Sequence, residues 1–250
     1  MYLTAPFKVL SFNIQAGATT NAYREYLTGS WRHVLPHPEK ARNLAALGKL
    51  IEGYDFVGLQ EADVGSLRSG FVNQGRHLAQ LGGFSYLSEQ HNRRIGMMAS
   101  SGNLLLSRAA PAEVLSHALP GRVRGRGALH VRFGADELAL HVVTVHLALS
   151  AEAQRMQLDF LRELTSTCQR VVLMGDFNCS PDAPHMRKFL ERTGLRCANP
   201  DAPTFPSWAP TRVIDHVLVS APIEVLGAQP LPLLGSDHLP VAAELKMSPS

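Results

Sequence analysis

The segment LALHVVTVHL at 138–147 is almost continuous in apolar and β-branched residues and reaches a histidine near its end. A strand can be apolar on both faces only where both faces are covered, so this segment belongs in the middle of a sheet with layers above and below it. RVVLMGDFN at 170–178 has the same character and breaks into a Gly-Asp-Phe-Asn loop. FKVLSFNI at 7–14 alternates and is rich in β-formers, and DFVGLQE at 55–61 is a short strand that ends on a carboxylate. Further strands are predicted at 84–88, 102–107, 127–133, 213–220 and 240–246, with a Pro-rich connector between the last two.

Four segments carry a helical pattern. Residues 39–52 place Leu44, Leu47, Leu50 and Ile51 on one face, with Pro38 at the start and Gly53 after the end. Phe71–Leu81 stops at Gly82-Gly83, and 151–165 follows Ser150, a suitable N-cap. Residues 183–192 end at Gly194, and 199–212 form a Pro-rich loop. Many strands with four helices predict an α/β chain of two packed sheets with the helices outside. No repeat and no shift in composition divides the 250 residues, so one domain spanning 1–250 is expected.

Composition narrows the function classes. With 45% hydrophobic and 18% charged residues the chain can bury a large core. No stretch approaches the roughly 18 consecutive apolar residues of a membrane-spanning helix, so no transmembrane segment is expected. The N-terminal MYLTAPFKVLSFNIQAG reads as the first strand, not as a signal peptide. Cys168, Cys179 and Cys197 are odd in number and scattered, which suits a reducing cytoplasm. A net charge of +3 is too small to mark a nucleic-acid binder. Arg122, Arg124, Arg126 and Arg132 are clustered, as are Arg93 and Arg94; beside a pocket such groups attract phosphate, and elsewhere they are solvated loop charge.

Seven polar residues share one kind of place. Asn13, Glu61, His146, Asp176, Asn178, Asp215 and His238 each lie at or just past a strand end, where α/β proteins build ligand sites. Each alone has a bland reading: a strand-end amide, a surface acid, a core histidine, an Asx turn. Together with Asp237 they offer hard oxygen donors suited to Mg²⁺, Mn²⁺ or Ca²⁺, and imidazoles for proton transfer. There is no HExxH motif and no Cys/His cluster in sequence, so a zinc enzyme is disfavoured. The sequence has no GxSxG elbow, no Walker A loop and no GxGxxG after a strand. The set fits metal-assisted hydrolysis of a phosphate ester. Asn103 and Arg126 are further strand-end groups able to bind substrate phosphate. His33, His37 and His91 read as loop residues without a role, Asp63 and Asp182 as loop acids, and Trp208 as a packed loop anchor.

The runs SFNIQAG (11–17), LQEAD (59–63), SGNLLLSR (101–108), TVHLAL (144–149), VVLMGDFNCSPD (171–182), VIDHVLVS (213–220) and GSDHLPV (235–241) resemble, in order and over almost the whole chain, the endonuclease/exonuclease/phosphatase superfamily. The resemblance implies a DNase I-like four-layer sandwich, two mixed β-sheets face to face with helices outside. It implies a divalent cation, usually Mg²⁺, held by Glu61 with Asn13 and, as a further ligand, Asp237. It further implies that Asp176 orients or deprotonates water, that Asn178 holds a phosphate oxygen, and that Asp215 fixes the tautomer of His238 at the phosphate. His146 matches the histidine of the DNase I and sphingomyelinase branch, where it stabilises the transition state or protonates the leaving group. The chain departs from the AP endonucleases, since IDHVLVS lacks their Tyr and Gln15 and Gly17 follow Asn13. It resembles small bacterial members of the superfamily. The expectation is a monomeric phosphodiesterase acting on a small or lipid-borne phosphodiester. A DNA or RNA endonuclease or exonuclease is the alternative, and a non-catalytic binding module of the same fold ranks last because the acid and histidine types are all present.

Overall fold

The computed structural model describes residues 5–15, 38–95, 99–122, 125–135, 137–233 and 235–248. His33, His37 and Arg124, and the side chains of Arg93 and Arg94, lie outside the described part. Twelve strands are described: β1 (Phe7–Asn13), β2 (Phe56–Asp63), β3 (Tyr86–Ile95), β4 (Ala99–Ser107), β5 (Glu113–Ala118), β6 (Gly127–Phe133), β7 (Leu140–His146), β8 (Arg170–Asp176), β9 (Arg196–Cys197), β10 (Asp215–Val219), β11 (Ile223–Pro230) and β12 (Val241–Met247). The described helices are α1 (Pro38–Ile51), α2 (Gln74–Leu81), α3 (Ala151–Thr165) and α4 (Pro184–Thr193).

The strands form two six-stranded mixed sheets, ordered β11-β12-β1-β2-β4-β3 and β5-β6-β7-β8-β10-β9. Each sheet holds one parallel pair, β1 with β2 and β7 with β8, and each pair is joined across a helix, α1 or α3. A parallel pair needs such a crossover, because its second strand must start where the first began. Three apolar clusters then account for four layers. Phe7, Val9, Phe56, Leu105, Leu129, Val142, Val172 and Leu245 pack between the sheets. Leu10, Leu47, Ile51, Leu59, Leu78 and Leu104 pack the first sheet on α1 and α2. Val143, Val145, Leu158, Leu161, Leu173, Met186 and Phe189 pack the second sheet on α3 and α4. In β7 the alternation is direct: Leu140 and Val142 face inward, Val143 and Val145 outward.

The four helices and the central strands fall where the sequence pattern puts them, but three strands have no counterpart in that pattern. These are β5, β9 and β11, and β11 occupies what reads as a Pro-rich connector. All three are edge strands. β5 is exposed or half-buried at every residue, so it carries no apolar face for a sequence pattern to register. His91 lies within β3 and not in a loop.

Candidate active site

Sheet pairing alone gathers the functional side chains. β7 and β8 run parallel in a register that sets His146 beside Asp176, and antiparallel β10 begins with Asp215 opposite Asp176. One end of the second sheet therefore presents a histidine and two acids in a row. In the facing sheet, β1 ends at Asn13 opposite Gln60 of β2, and Glu61 follows at a break in the β2–β4 register between Leu59 and Ala62. Glu61 has φ +56°, a left-handed conformation that side chains other than glycine rarely adopt. The bulge turns its carboxylate toward the second sheet.

The two rows meet. Asp176 Oδ2 is the common point, 3.1 Å from Asn13 Nδ2, 3.3 Å from His146 Nε2 and 3.8 Å from His238 Nε2. Glu61 Oε1 lies 3.4 Å from Asn13 Nδ2 and 3.9 Å from His146 Nε2. Asp176 Oδ1 accepts from the backbone N–H of Asn178 at 2.9 Å. His238 Nδ1 lies 3.0 and 2.9 Å from the two oxygens of Asp215. Except for half-buried Glu61 and Asn178, these residues are buried.

Burial and mutual charge set their protonation. Burial is the largest influence on Asp176, and with the nearby Asp215 charge it pushes this carboxyl up to about 7, against the opposing pull of His238 and the hydrogen bonds from Asn13 and Asn178. Burial disfavours the charge on His238, but Asp215 and Asp176 outweigh it, and the ring is raised to about 10. His146 is held well below the usual histidine range by burial, then by the charges of Arg126 and His238. At neutral pH one imidazole is cationic and the other neutral.

Other sequence-derived candidates fall in different places. Asn178 donates one side-chain N–H to the Leu147 carbonyl at 3.1 Å, leaving the second N–H of its amide for another acceptor. Asp237 is buried, accepts weakly from the Ser236 hydroxyl at 3.3 Å and adds negative potential at His238. Arg126 is half-buried just before β6, and its charge is felt at His146. Asn103 is fully buried, and its amide nitrogen bonds Gln90 Oε1 at 3.1 Å and the Gly127 carbonyl at 2.8 Å, so it ties the two sheets together. Asp63 is not a loop acid but the buried end of β2, where it accepts from the backbone and hydroxyl of Ser66 and the hydroxyl of Ser69.

Sequence reasoning passes over the supports. Thr204 Oγ1 donates to Asp215 Oδ2, and the Asn199 amide donates to the Asp215 carbonyl. Ser236 Oγ donates to the Asn13 carbonyl at 2.6 Å, joining the last loop to β1 across 223 positions. The Phe205 ring lies 5.0 Å from that of His238. Only the Thr-Phe-Pro run before IDH hints at these contacts.

The donor set fits a hard divalent cation. Glu61 and Asp176 bring carboxylate oxygens together from opposite sheets around the Asn13 side-chain N–H groups, and burial first, then the Asp215 charge, raises Asp176, so a cation here would relieve the buried negative charge. The segment just after His146 enters a cavity of about 570 Å³ lined by Ala148, Leu149, Ala153 and Met156, with Arg122, Arg126 and Glu152 among its walls. Leu149 is 76% exposed and Met156 48% exposed.

Residues 10–238 match the family model described as the Endonuclease/Exonuclease/phosphatase family. No curated protein matches the sequence significantly. Among solved structures, the chain is similar to an endonuclease/exonuclease/phosphatase from Beutenbergia cavernae, at 21% identity and TM-score 0.76, covering 97% of this chain and 72% of that one. A mannosyl-6-phosphatase from Bacteroides thetaiotaomicron gives 16% identity and TM-score 0.70, with 96% and 99% covered. The human Nocturnin catalytic domain with bound sulfate gives 16% identity and TM-score 0.67, with 97% and 95% covered. These likenesses establish the fold.

Proposed function

The chain belongs to the endonuclease/exonuclease/phosphatase family, and from that premise we propose that it is a Mg²⁺-dependent phosphoesterase acting on a small or lipid-borne phosphodiester with an apolar substituent. The observation that carries the reading is the meeting of Asn13, Glu61, His146, Asp176 and the Asp215–His238 pair at one point between the sheets. Glu61 with Asn13 would hold the cation, with Asp237 as a further ligand. When bound, a divalent cation supplies Lewis-acid stabilisation of the phosphoryl oxygens.

The chain's own groups then have distinct tasks. Asp176, raised to about 7, is matched to neutral pH as the base that takes a proton from the attacking water. His238 is cationic and meets a phosphoryl oxygen through Nε2, while Asp215 keeps its Nδ1–H in place. Neutral His146 donates a hydrogen bond to the developing charge, and the second N–H of Asn178 serves another oxygen. An in-line attack needs no covalent intermediate with this chain.

The apolar cavity supports the substrate class. Its walls suit a hydrocarbon substituent, and Arg122 and Arg126 suit one phosphate. A nucleic-acid backbone engages a longer row of cations. The test is catalytic efficiency on a short-chain phospholipid, a small chromogenic diester, the matching monoester, and duplex and single-stranded DNA, at low and moderate salt, with Asp176→Asn as control. The lipid-like diester is expected to lead, with weak salt dependence. An efficiency on DNA far above the others that falls steeply with salt overturns the substrate reading. Full activity in chelator or in Asp176→Asn overturns the mechanism.

A further inference from the structure

The outer face of the second sheet carries a group that the catalytic chemistry does not use. β5, β6 and β7 pair so that His117 is opposite Ala128, and Leu115 opposite His130. Arg132 is opposite His141. Since successive side chains alternate, His117, His130 and His141 all point to the face covered by α3. The His117 ring lies 6.0 Å from Phe160 of α3, 6.2 Å from His130, and His130 lies 5.1 Å from His141. Cys168, just beyond the C-terminus of α3, closes the group.

We propose that His130, His141 and Cys168 form a second metal site, for a borderline-soft divalent ion of the Zn²⁺ type. One ligand atom from each of the three lies within 4.8 Å of the others. Donors around one tetrahedral Zn²⁺ are separated by roughly 3.3–3.8 Å, given Zn–N and Zn–S bonds of about 2.0–2.3 Å. His130 Nε2 and His141 Nδ1 are 2.8 Å apart, sharing a proton. Exchanging that proton for a metal ion opens the pair by about half an ångström, within reach of small rotations of the two rings on the outer face of the sheet. The thiol's partners are local, the Leu164 carbonyl at 3.9 Å and the Thr167 side chain, and burial raises it, so binding must displace its proton.

A second observation points to a ligand. His130 Nδ1 and His117 Nε2 are buried with no hydrogen-bond partner among the described residues. A buried ring nitrogen left without a partner is costly, and a turn of the His130 ring offers that nitrogen to an electron-pair acceptor held with His141 and Cys168. The chain supplies three donors, and a water molecule would complete a tetrahedral ion. Burial holds His130 near 4 and lowers His141, so both rings are neutral and able to coordinate at physiological pH. Nitrogen and sulfur donors select Zn²⁺ or Co²⁺ over the Mg²⁺ of an oxygen site. Arg132, the nearest cation, is neutralised by Glu113 at 3.1 Å.

The site is separate from the catalytic crevice. His141 precedes His146 by five positions in one strand, roughly 16 Å at about 3.3 Å per residue, and an odd separation puts the two on opposite faces. Its role is to pin the end of α3 to the sheet, so binding stabilises the fold.

Chelator-treated protein titrated with Co²⁺ provides the test. The expected result is a thiolate-to-cobalt charge-transfer band that persists in Asp176→Asn, disappears in Cys168→Ala, and needs about tenfold more Co²⁺ in His141→Ala. Cys168 and His141 are only half-buried, so both replacements leave the core intact. In the unaltered chain, Zn²⁺ is expected to slow alkylation of Cys168 about tenfold, reversibly with EDTA. No band, a band that survives Cys168→Ala, a band lost in Asp176→Asn, or an unchanged alkylation rate overturns the site.

Discussion

His238 Nδ1 sits almost equidistant from the two carboxylate oxygens of Asp215, at 3.0 and 2.9 Å, with both residues buried. A ring held in this way has one tautomer and one orientation, and it turns Nε2 toward Asp176 at 3.8 Å. Asp215 acts through the histidine and is a positioning residue. It is itself fixed by Thr204, so a residue of the Pro-rich loop sets the pair.

Asp215→Asn is expected to fold cooperatively and to lose roughly 10³–10⁴-fold in kcat, the scale seen when a buried orienting carboxylate is replaced. The alkaline limb of the activity profile should also move to lower pH. Asp215 raises His238, so without it the ring deprotonates earlier. Steady-state kinetics across pH reads both effects; an unmoved alkaline limb in an otherwise active variant counts against the pairing.

Glu61→Gly separates backbone strain from chemistry. Gly accepts φ +56° without the steric penalty that Glu bears there. The variant should be as stable as the parent or about 1 kcal/mol more stable in chelator, while losing most divalent-cation binding. Calorimetric titration with Mg²⁺ or Mn²⁺, alongside thermal melts in EDTA, checks both halves.

Gly175→Ala tests the strand pair that brings His146 beside Asp176. A Cβ on Gly175 would lie 2.0 Å from the Val145 carbonyl oxygen, and φ there is +151°. Nothing in a paired backbone can move aside, so the cost should exceed about 3 kcal/mol. Urea unfolding would report it, with activity lost together with the fold.

In the metal-free protein two kinds of buried group should oppose each other in acid: the histidines cost stability as pH falls, while Asp176, raised to about 7, adds it because the folded carboxyl takes up its proton first. Burial is the leading cause that lowers His130, His141, His146 and His216. Unfolded histidines take up protons near 6.5, whereas folded His130 waits until about 4. At His130 the unfolded state therefore binds more protons in that window, and its share of the stability falls as pH drops from 6.5 toward 4. For His130 the loss is at most on the order of 3 kcal/mol, at about 1.4 kcal/mol for each pH unit between the folded and unfolded values, and smaller to the extent that water screens the ring. Urea midpoints in EDTA between these pH values measure it in Asp176→Asn, which removes the opposing carboxyl, and adding His141→Gln to that variant should flatten the curve.

The sequence by itself determined the layered α/β architecture. Apolar runs such as 138–147 must be covered on both faces, and helices with one apolar stripe must cover them. It also marked the strand-end residues, because an acid or histidine directly after an apolar run breaks the pattern visibly. What it left unmarked was whatever has no local pattern. β5 and β11 are exposed edges, and their pairing is dictated by a neighbour, not by their own residues. Asn103 reads like the strand-end candidates but lies within β4, and only the distance between the sheets decides that its amide bridges them. The meeting of Asn13, His146 and His238 around one oxygen of Asp176, and of His130, His141 and Cys168 on the outer face of the second sheet, depends on strand register and on which sheet face each side chain takes. Those are relations between segments far apart in the chain, and only tertiary structure fixes them.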